Sequence, residues 1–156
     1  MKLPKFPVEG GCQCGAVRYR LTGVPLGVYA CHCKDCQRFS GTTHTLSMII
    51  HAEHLELIAG EPEGTDKLAD SGRTVRMMAC SQCGTKLWNV PLASPQYRVV
   101  RPGTLDDMSW AVPVGNIWTS SAAPWVAIDP GVPNFPGQPA DRQPLFDAFA
   151  AEVAKG

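Results

Sequence analysis

Seven cysteines fall into three tight groups, and no other feature limits the chain's options as strongly: Cys12 with Cys14, then Cys31, Cys33 and Cys36, then Cys80 with Cys83. The outer groups are alike, since each is a close pair followed at once by glycine, Gly15 or Gly84. A short-spaced pair grips one ion only if the backbone curls round it, and glycine supplies the positive φ that the curl needs. Two such knuckles brought together by a sheet make a closed tetrahedral site, with four thiolates at about 2.3 Å from zinc. The spacing therefore predicts a structural zinc on Cys12, Cys14, Cys80 and Cys83. The middle group is left with three sulfurs, and an unfilled fourth position marks a working metal site rather than a structural one.

Composition supports metal over disulfides. No apolar stretch near "MKLPKFPVEGG" reads as a secretory signal, and no later run is long enough to span a bilayer. The expected setting is the reducing cytoplasm, where an odd set of thiols serves metal or chemistry. With 156 residues the chain has room for one domain with a real core. The expectation is a single domain over 1–156, its body at about 10–135 and a C-terminal loop and helix at 136–156. Lys and Arg number 14 against 14 Asp and Glu, without a run of like charge. That balance removes the electrostatic footprint of a nucleic-acid or acidic-membrane binder.

Fifteen glycines and 14 prolines punctuate short β-type runs. "AVRYRLTG", "GVYACH", "HTLSMII", "TVRMMACS", "TKLWNV" and "YRVVRPG" read as strands. Val17, Tyr19 and Leu21 alternate with Arg18, Arg20 and Thr22, the signature of an antiparallel sheet with one buried face. Helix is expected in three places: a turn starting near Asp35, a short piece at "AEHLELIAG", and the C-terminal "QPLFDAFAAEVAKG". In the last, Leu145, Phe146, Phe149 and Val153 share a face fit for docking. The Pro-rich segment before it carries Trp125 and Phe135 and reads as a loop lying against the body.

A helical turn from Asp35 would let Cys33 and Cys36 face one way, with Cys31 swinging in from the preceding strand. Three thiolates on Zn²⁺ leave a net negative charge and a weak Lewis acid, suited to accepting a fourth sulfur rather than generating hydroxide. A thiol bound there would lose its proton and attack a carbonyl carbon. Lys34 and Arg38 are open to two roles, offsetting that charge or holding a substrate carboxylate, against ordinary surface charge. His32, between two ligands, is expected to point away from the metal, and His44 to pack on its strand. Ser40 and Gly41 read as the turn out of the metal loop and Phe39 as core. Asp106 and Asp107 read as caps without chemistry. Trp110, Trp118 and Trp125 read first as core or loop anchors and second as a pocket wall.

The series "GGCQCGAVRYRL", "CHCKDCQRFSG", "CSQCGTKLW", "GTLDD" and "NIWTSSAAPWVAI" resembles the glutathione-dependent formaldehyde-activating enzyme family, whose domain is shared with centromere protein V. The resemblance runs from Gly10 to about Phe135. It implies a mainly β fold of antiparallel sheets, a zinc-stabilised β-tent with short helical pieces. It also implies two zincs per chain: a structural one on Cys12, Cys14, Cys80 and Cys83, and a more labile one on Cys31, Cys33 and Cys36. The implied activity is that of a carbon–sulfur lyase joining glutathione to formaldehyde, with the second zinc carrying catalysis. Two other readings stay open, a non-catalytic zinc module that carries a thiol or docks to a protein, and a redox pair at "CKDC".

Overall fold

The computed structural model describes residues 1–69 and 71–156. Its strands are β1 (Val8–Gly11), β2 (Arg18–Leu21), β3 (Gly27–Cys31), β4 (Thr45–His51), β5 (Leu55–Ala59), β6 (Glu63–Leu68), β7 (Thr74–Ala79), β8 (Lys86–Pro91), β9 (Tyr97–Val100), β10 (Asn116–Ile117) and β11 (Asn134–Phe135). The helices are α1 (Lys34–Ser40) and α2 (Gln143–Ala154). Eight strands form one sheet in the order β11-β10-β3-β4-β9-β8-β7-β6, and β1-β2-β5 form a second. The pairing is antiparallel, as the alternation at Val17 to Thr22 predicts, except that the two-residue strands β10 and β11 extend the large sheet in parallel beside β3. No helix among the described residues is long and apolar enough to cross a membrane.

The pleat of the large sheet sorts its side chains into two sets. Val28, Met48, Ile50, Trp88 and Val100 meet Tyr19 and Leu21 of the small sheet, with Val17 just before them, and form the main core. Tyr29, Cys31 and Ile49 point to the other face, where Ile117 and Leu145 join them. Cross-strand register holds this second face in line, pairing Tyr29 with Ser47, Ile49 with Val99, and Asn89 with both Val99 and Met77. Period-two alternation therefore brings the end of β3, and with it Cys31, to the side away from the core.

The C-terminal helix docks. Leu145 and Phe149 are fully buried and lie in different clusters, so α2 ties the second face to the main core along β3. The helix expected over "AEHLELIAG" is corrected: Ala52–His54 make one 3₁₀ turn, and the rest is β5, paired with β2. Pairing to an open strand edge supplies hydrogen bonds that so short a helix with frayed ends does not. Phe135 is half-buried in β11 as a loop anchor, but Trp125 is 75% exposed rather than packed against the body. Trp110 belongs to the core and donates its indole N–H to the Asp107 carbonyl.

Candidate metal centres and the cleft between sheet and C-terminal segment

The two outer cysteine pairs meet. Cys12, Cys14, Cys80 and Cys83 bring their sulfurs within 4.8 Å of one another. Each knuckle closes by the same device, a glycine N–H donating to the carbonyl of the first cysteine: Gly15 to Cys12 at 3.0 Å and Gly84 to Cys80 at 2.9 Å. Both glycines have positive φ, +79° and +73°, which other residues reach only with strain. The Gln13 N–H donates to Thr85 Oγ1 at 3.1 Å and so stitches one knuckle to the other. The Cys12 and Cys14 sulfurs are 3.5 Å apart, and those of Cys14 and Cys80 3.7 Å. Four sulfurs at 2.3 Å from a tetrahedral zinc stand about 3.8 Å from each other, so the donor set fits that ion. Hydrogen bonds from the Thr85 hydroxyl and backbone, and from the Cys14 backbone, draw the Cys83 thiol down to about 5.

The middle cysteines form a second set, with all three sulfurs within 4.8 Å. Cys31 ends β3, Cys33 caps α1, and Cys36 lies in its first turn, where its N–H donates to Cys33 Sγ at 3.3 Å. Hydrogen bonds from the Cys31 and Cys33 thiols hold the Cys36 thiol far below its ordinary range, with help from Thr45 and the charge of Arg101. The same sulfur contacts, with Cys33 and then Cys36, and burial push Cys31 far up. The cluster thus favours a thiolate on Cys36, as a soft metal ion requires of its ligands. Gly41, at φ +69°, ends α1 and turns the chain into β4.

His32 is not part of either sulfur set. Its ring is buried, with Nε2 at 3.0 Å from Asn116 Oδ1, and it lies 5.0 Å from the half-buried His44 ring. Lys34 does not face the cleft: its Nζ donates to Gln37 Oε1 at 3.1 Å and the Ser121 carbonyl at 3.2 Å, clamping α1 to a neighbouring loop. Arg38 is exposed. Asp106 is a partner to Arg18 at 2.5 and 2.8 Å, while Asp107 accepts from the Ser109 N–H as a cap does.

Cys31, Cys33 and Cys36 line one end of a cleft of about 1070 Å³, counting the part open to solvent, that runs over the second face of the large sheet. Its floor is the pleat set of Tyr29, Ser47, Val99, Asn89 and Met77. Phe39, expected in the core, is instead half-buried on the cleft wall, with the Lys86 ammonium and the Arg101 guanidinium over its ring at 5.3 and 5.2 Å. Trp118 lines the cleft as well, and among the described residues it alone combines a positive φ, 59°, with a side chain. Such a conformation costs of order 1–3 kcal/mol and persists only where the surroundings over-determine it.

The cations of the cleft went unread in the sequence. Lys67, Arg73, Arg101 and Arg142 all line it, and the one carboxylate among the described lining residues, Asp35, is ion-paired with Lys67. Arg101 had a legible signal: it follows Tyr97–Val100 directly, so the pleat that buries Val100 in the core leaves Arg101 on the cleft side. Gln138 and Arg142 had none, because a loop and a helix start are brought over the sheet only by tertiary packing.

A mainly antiparallel β body with one set of four and one set of three converging thiols defines the class: a β protein with two clusters able to hold metal ions. The chain belongs to the glutathione-dependent formaldehyde-activating enzyme family, whose sequence profile matches residues 7–121. A Halomonas elongata protein, named provisionally as such an enzyme, is 32% identical over 93 residues, covering 52% of this chain and 54% of that one. A Sordaria macrospora protein with the same provisional name is 26% identical over 92 residues, covering 55% of this chain and 38% of that one. The chain thus spans about half or less of the length of these curated relatives. The fold is similar to a crystal structure of a Rhodobacter sphaeroides protein, with a TM-score of 0.50, 17% identity, and coverage of 81% of this chain and 98% of that one.

Proposed function

We propose that this chain is a zinc-dependent enzyme of the carbon–sulfur lyase type, which joins a small thiol such as glutathione to a small aldehyde such as formaldehyde, or releases it. One observation carries the reading: three sulfurs, rather than four, converge at the wall of a substrate-sized cleft, while a complete set of four stands apart from that cleft. Cys12, Cys14, Cys80 and Cys83 would hold a structural zinc, and Cys31, Cys33 and Cys36 a second, more labile one. Zinc in the three-sulfur set would take a fourth sulfur from the substrate and keep it as thiolate. The overall change is balanced: the sulfur–carbon bond forms, the carbonyl π pair moves to oxygen, and the proton given up by the thiol ends on that oxygen.

The chain's own residues prepare this step. Cys36, drawn towards thiolate by hydrogen bonds from the Cys31 and Cys33 thiols, offers the set one sulfur ready for a metal ion. Tyr29, Phe39, Ile117 and Trp118 present apolar surface beside the sulfurs and thin out water there. Arg101 is fixed by bonds from Nη1 to Thr45 Oγ1 at 3.1 Å and Ser47 Oγ at 3.2 Å, and it offsets the negative charge of the cluster.

A second reading, a thiol carrier without turnover, also has an observation behind it. Among the described residues lining the cleft there is no histidine, and the one carboxylate is held in an ion pair. Zinc per chain and turnover in Cys36→Ala and Cys83→Ala separate the roles. Cys36→Ala is expected to keep the fold, drop one zinc and lose addition of glutathione to ¹³C-labelled formaldehyde, followed by NMR. Cys83→Ala is expected to unfold, because structural zinc contributes folding free energy of order 10 kcal/mol. Equal unfolding of both variants would refute the division of labour, and a wild type that binds glutathione without accelerating the addition would favour the carrier.

A further inference from the structure

Three donor groups in this cleft have no acceptor among the described residues. Arg101 Nε, Arg142 Nε and Gln138 Nε2 are buried and have no hydrogen-bond partner among the described residues, and all three side chains line the cleft that holds Cys31, Cys33 and Cys36. A buried donor without an acceptor is costly, and a charged one more so. Neither Arg101 nor Arg142 has a carboxylate partner among the described residues, and the one carboxylate among the described residues that line the cleft, Asp35, is paired with Lys67. Among the described residues the surplus is therefore all of one kind, donor and positive.

Two of these donors are held in place by packing rather than by the site. The backbone N–H of Trp118 donates to the Gly137 carbonyl at 3.2 Å and that of Ser120 to the Pro136 carbonyl at 3.2 Å, which ties the chain just before Gln138 to the strand beside β3. The Arg142 carbonyl accepts from the N–H groups of Leu145 and Phe146 at 2.9 and 3.2 Å, so Arg142 sits where α2 begins. Leu145, fully buried, pins that first turn to the sheet. Both residues lie beyond residue 121, where the family match ends.

We infer that the C-terminal segment supplies a carboxylate-recognition wall, Gln138 and Arg142 acting with Arg101, which selects a thiol bearing a carboxylate over a neutral thiol of the same shape. The inference rests on the thiol-binding reading above and deepens it. The sulfur end of the ligand goes to the part of the chain shared with the family, and the anionic end to a part outside the family match. Arg142 and Gln138 are specificity-determining residues here, because they touch the ligand away from the reacting atoms. A guanidinium gives a carboxylate charge-assisted hydrogen bonds, and loss of one such contact lowers affinity by about tenfold or more.

The test uses zinc-supplemented protein and calorimetric binding of two probes, glutathione and its diamide, in which both carboxylates are carboxamides. Wild type is expected to bind glutathione at least tenfold tighter than the diamide, with a preference that weakens as salt is raised. Arg142→Gln and Gln138→Leu, each with unchanged circular dichroism, are expected to lose most of that preference by weakening glutathione and sparing the diamide. Equal binding of the two probes by wild type, or a preference unchanged in both variants, overturns the wall and leaves the thiol reading standing. Failure of both probes to bind wild type overturns both together.

Discussion

Truncating Leu145 tests whether α2 is part of the folded body and of the site at once. Its side chain is fully buried beside Tyr29, Cys31, Cys33, Ile49 and Ile117. A Cβ built on Gly115 would come within 2.4 Å of Leu145 Cδ2 and 2.8 Å of the Pro133 carbonyl, so the leucine is seated against backbone that cannot move in to fill a hole. Leu→Ala changes at sites with little room to collapse cost about 3 kcal/mol through lost transfer energy and the residual cavity. For a chain of this size each kcal/mol moves the melting midpoint by about 2–4 °C, so Leu145→Ala is expected to melt about 6–12 °C below wild type. Scanning calorimetry on zinc-loaded protein reads this directly. The same variant is expected to lose part of the preference for glutathione over its diamide, because the first turn that carries Arg142 is anchored through Leu145. A midpoint within about 2 °C of wild type would mean that the helix contributes nothing to the fold, and the positioning of Arg142 would lose its physical basis.

Two further outcomes follow from buried groups and from backbone. Burial pushes the phenols of Tyr19 and Tyr29 up to about 12, against about 10 in an unfolded chain. Because the folded values are the raised ones, the associated stability is fully present below pH about 10 and is lost between about 10 and 12, up to about 2–3 kcal/mol for each phenol. Phenolate absorbance and circular dichroism of these groups should therefore change together in an alkaline titration, and free ionisation of both in a folded chain would contradict the packing. Gly60 has a φ of +72° and a Cβ there would lie 2.1 Å from the Ala16 carbonyl oxygen, whereas Gly72, at +76°, faces open space. Gly72→Ala is expected to cost only the left-handed strain, about 1–2 kcal/mol, and Gly60→Ala clearly more in urea unfolding. Equal losses would show that the contact with Ala16 relaxes freely.

What was legible in the sequence came from local rules. Period-two alternation at Val17, Tyr19 and Leu21 named a strand and its buried face, and Gly15 and Gly84 marked the two knuckles whose sulfurs do converge. The short apolar run at "LELIA" did not declare its state, because in five residues a helix stripe and a strand face look alike and pairing with β2 decides. Phe39 was misplaced for a related reason: an aromatic near the end of a short helix faces core or cleft according to the sheet opposite. Gln138 and Arg142 carried no local signature at all, since a lone glutamine and a lone arginine become a wall only when a loop crosses a sheet.

The four-sulfur set also bears on the order in which the chain can take up metal. Cys14 and Cys80 are 66 positions apart, while Cys31, Cys33 and Cys36 lie within a few residues of one another. Bringing the distant pairs together in an unfolded chain costs about 2 kcal/mol more in loop entropy than gathering the nearby trio. A chain growing from its N-terminus also exposes five thiols before Cys80 exists. Metal offered early would be expected to sit on the trio, with a sulfur borrowed from Cys12 or Cys14 that it would have to hand back when the second knuckle arrives. On the proposed reading, the open coordination position of the trio would also be a place where an unfolded chain ligates itself, and refolding yield is expected to fall when zinc is present in excess from the start rather than added after the sheet has formed.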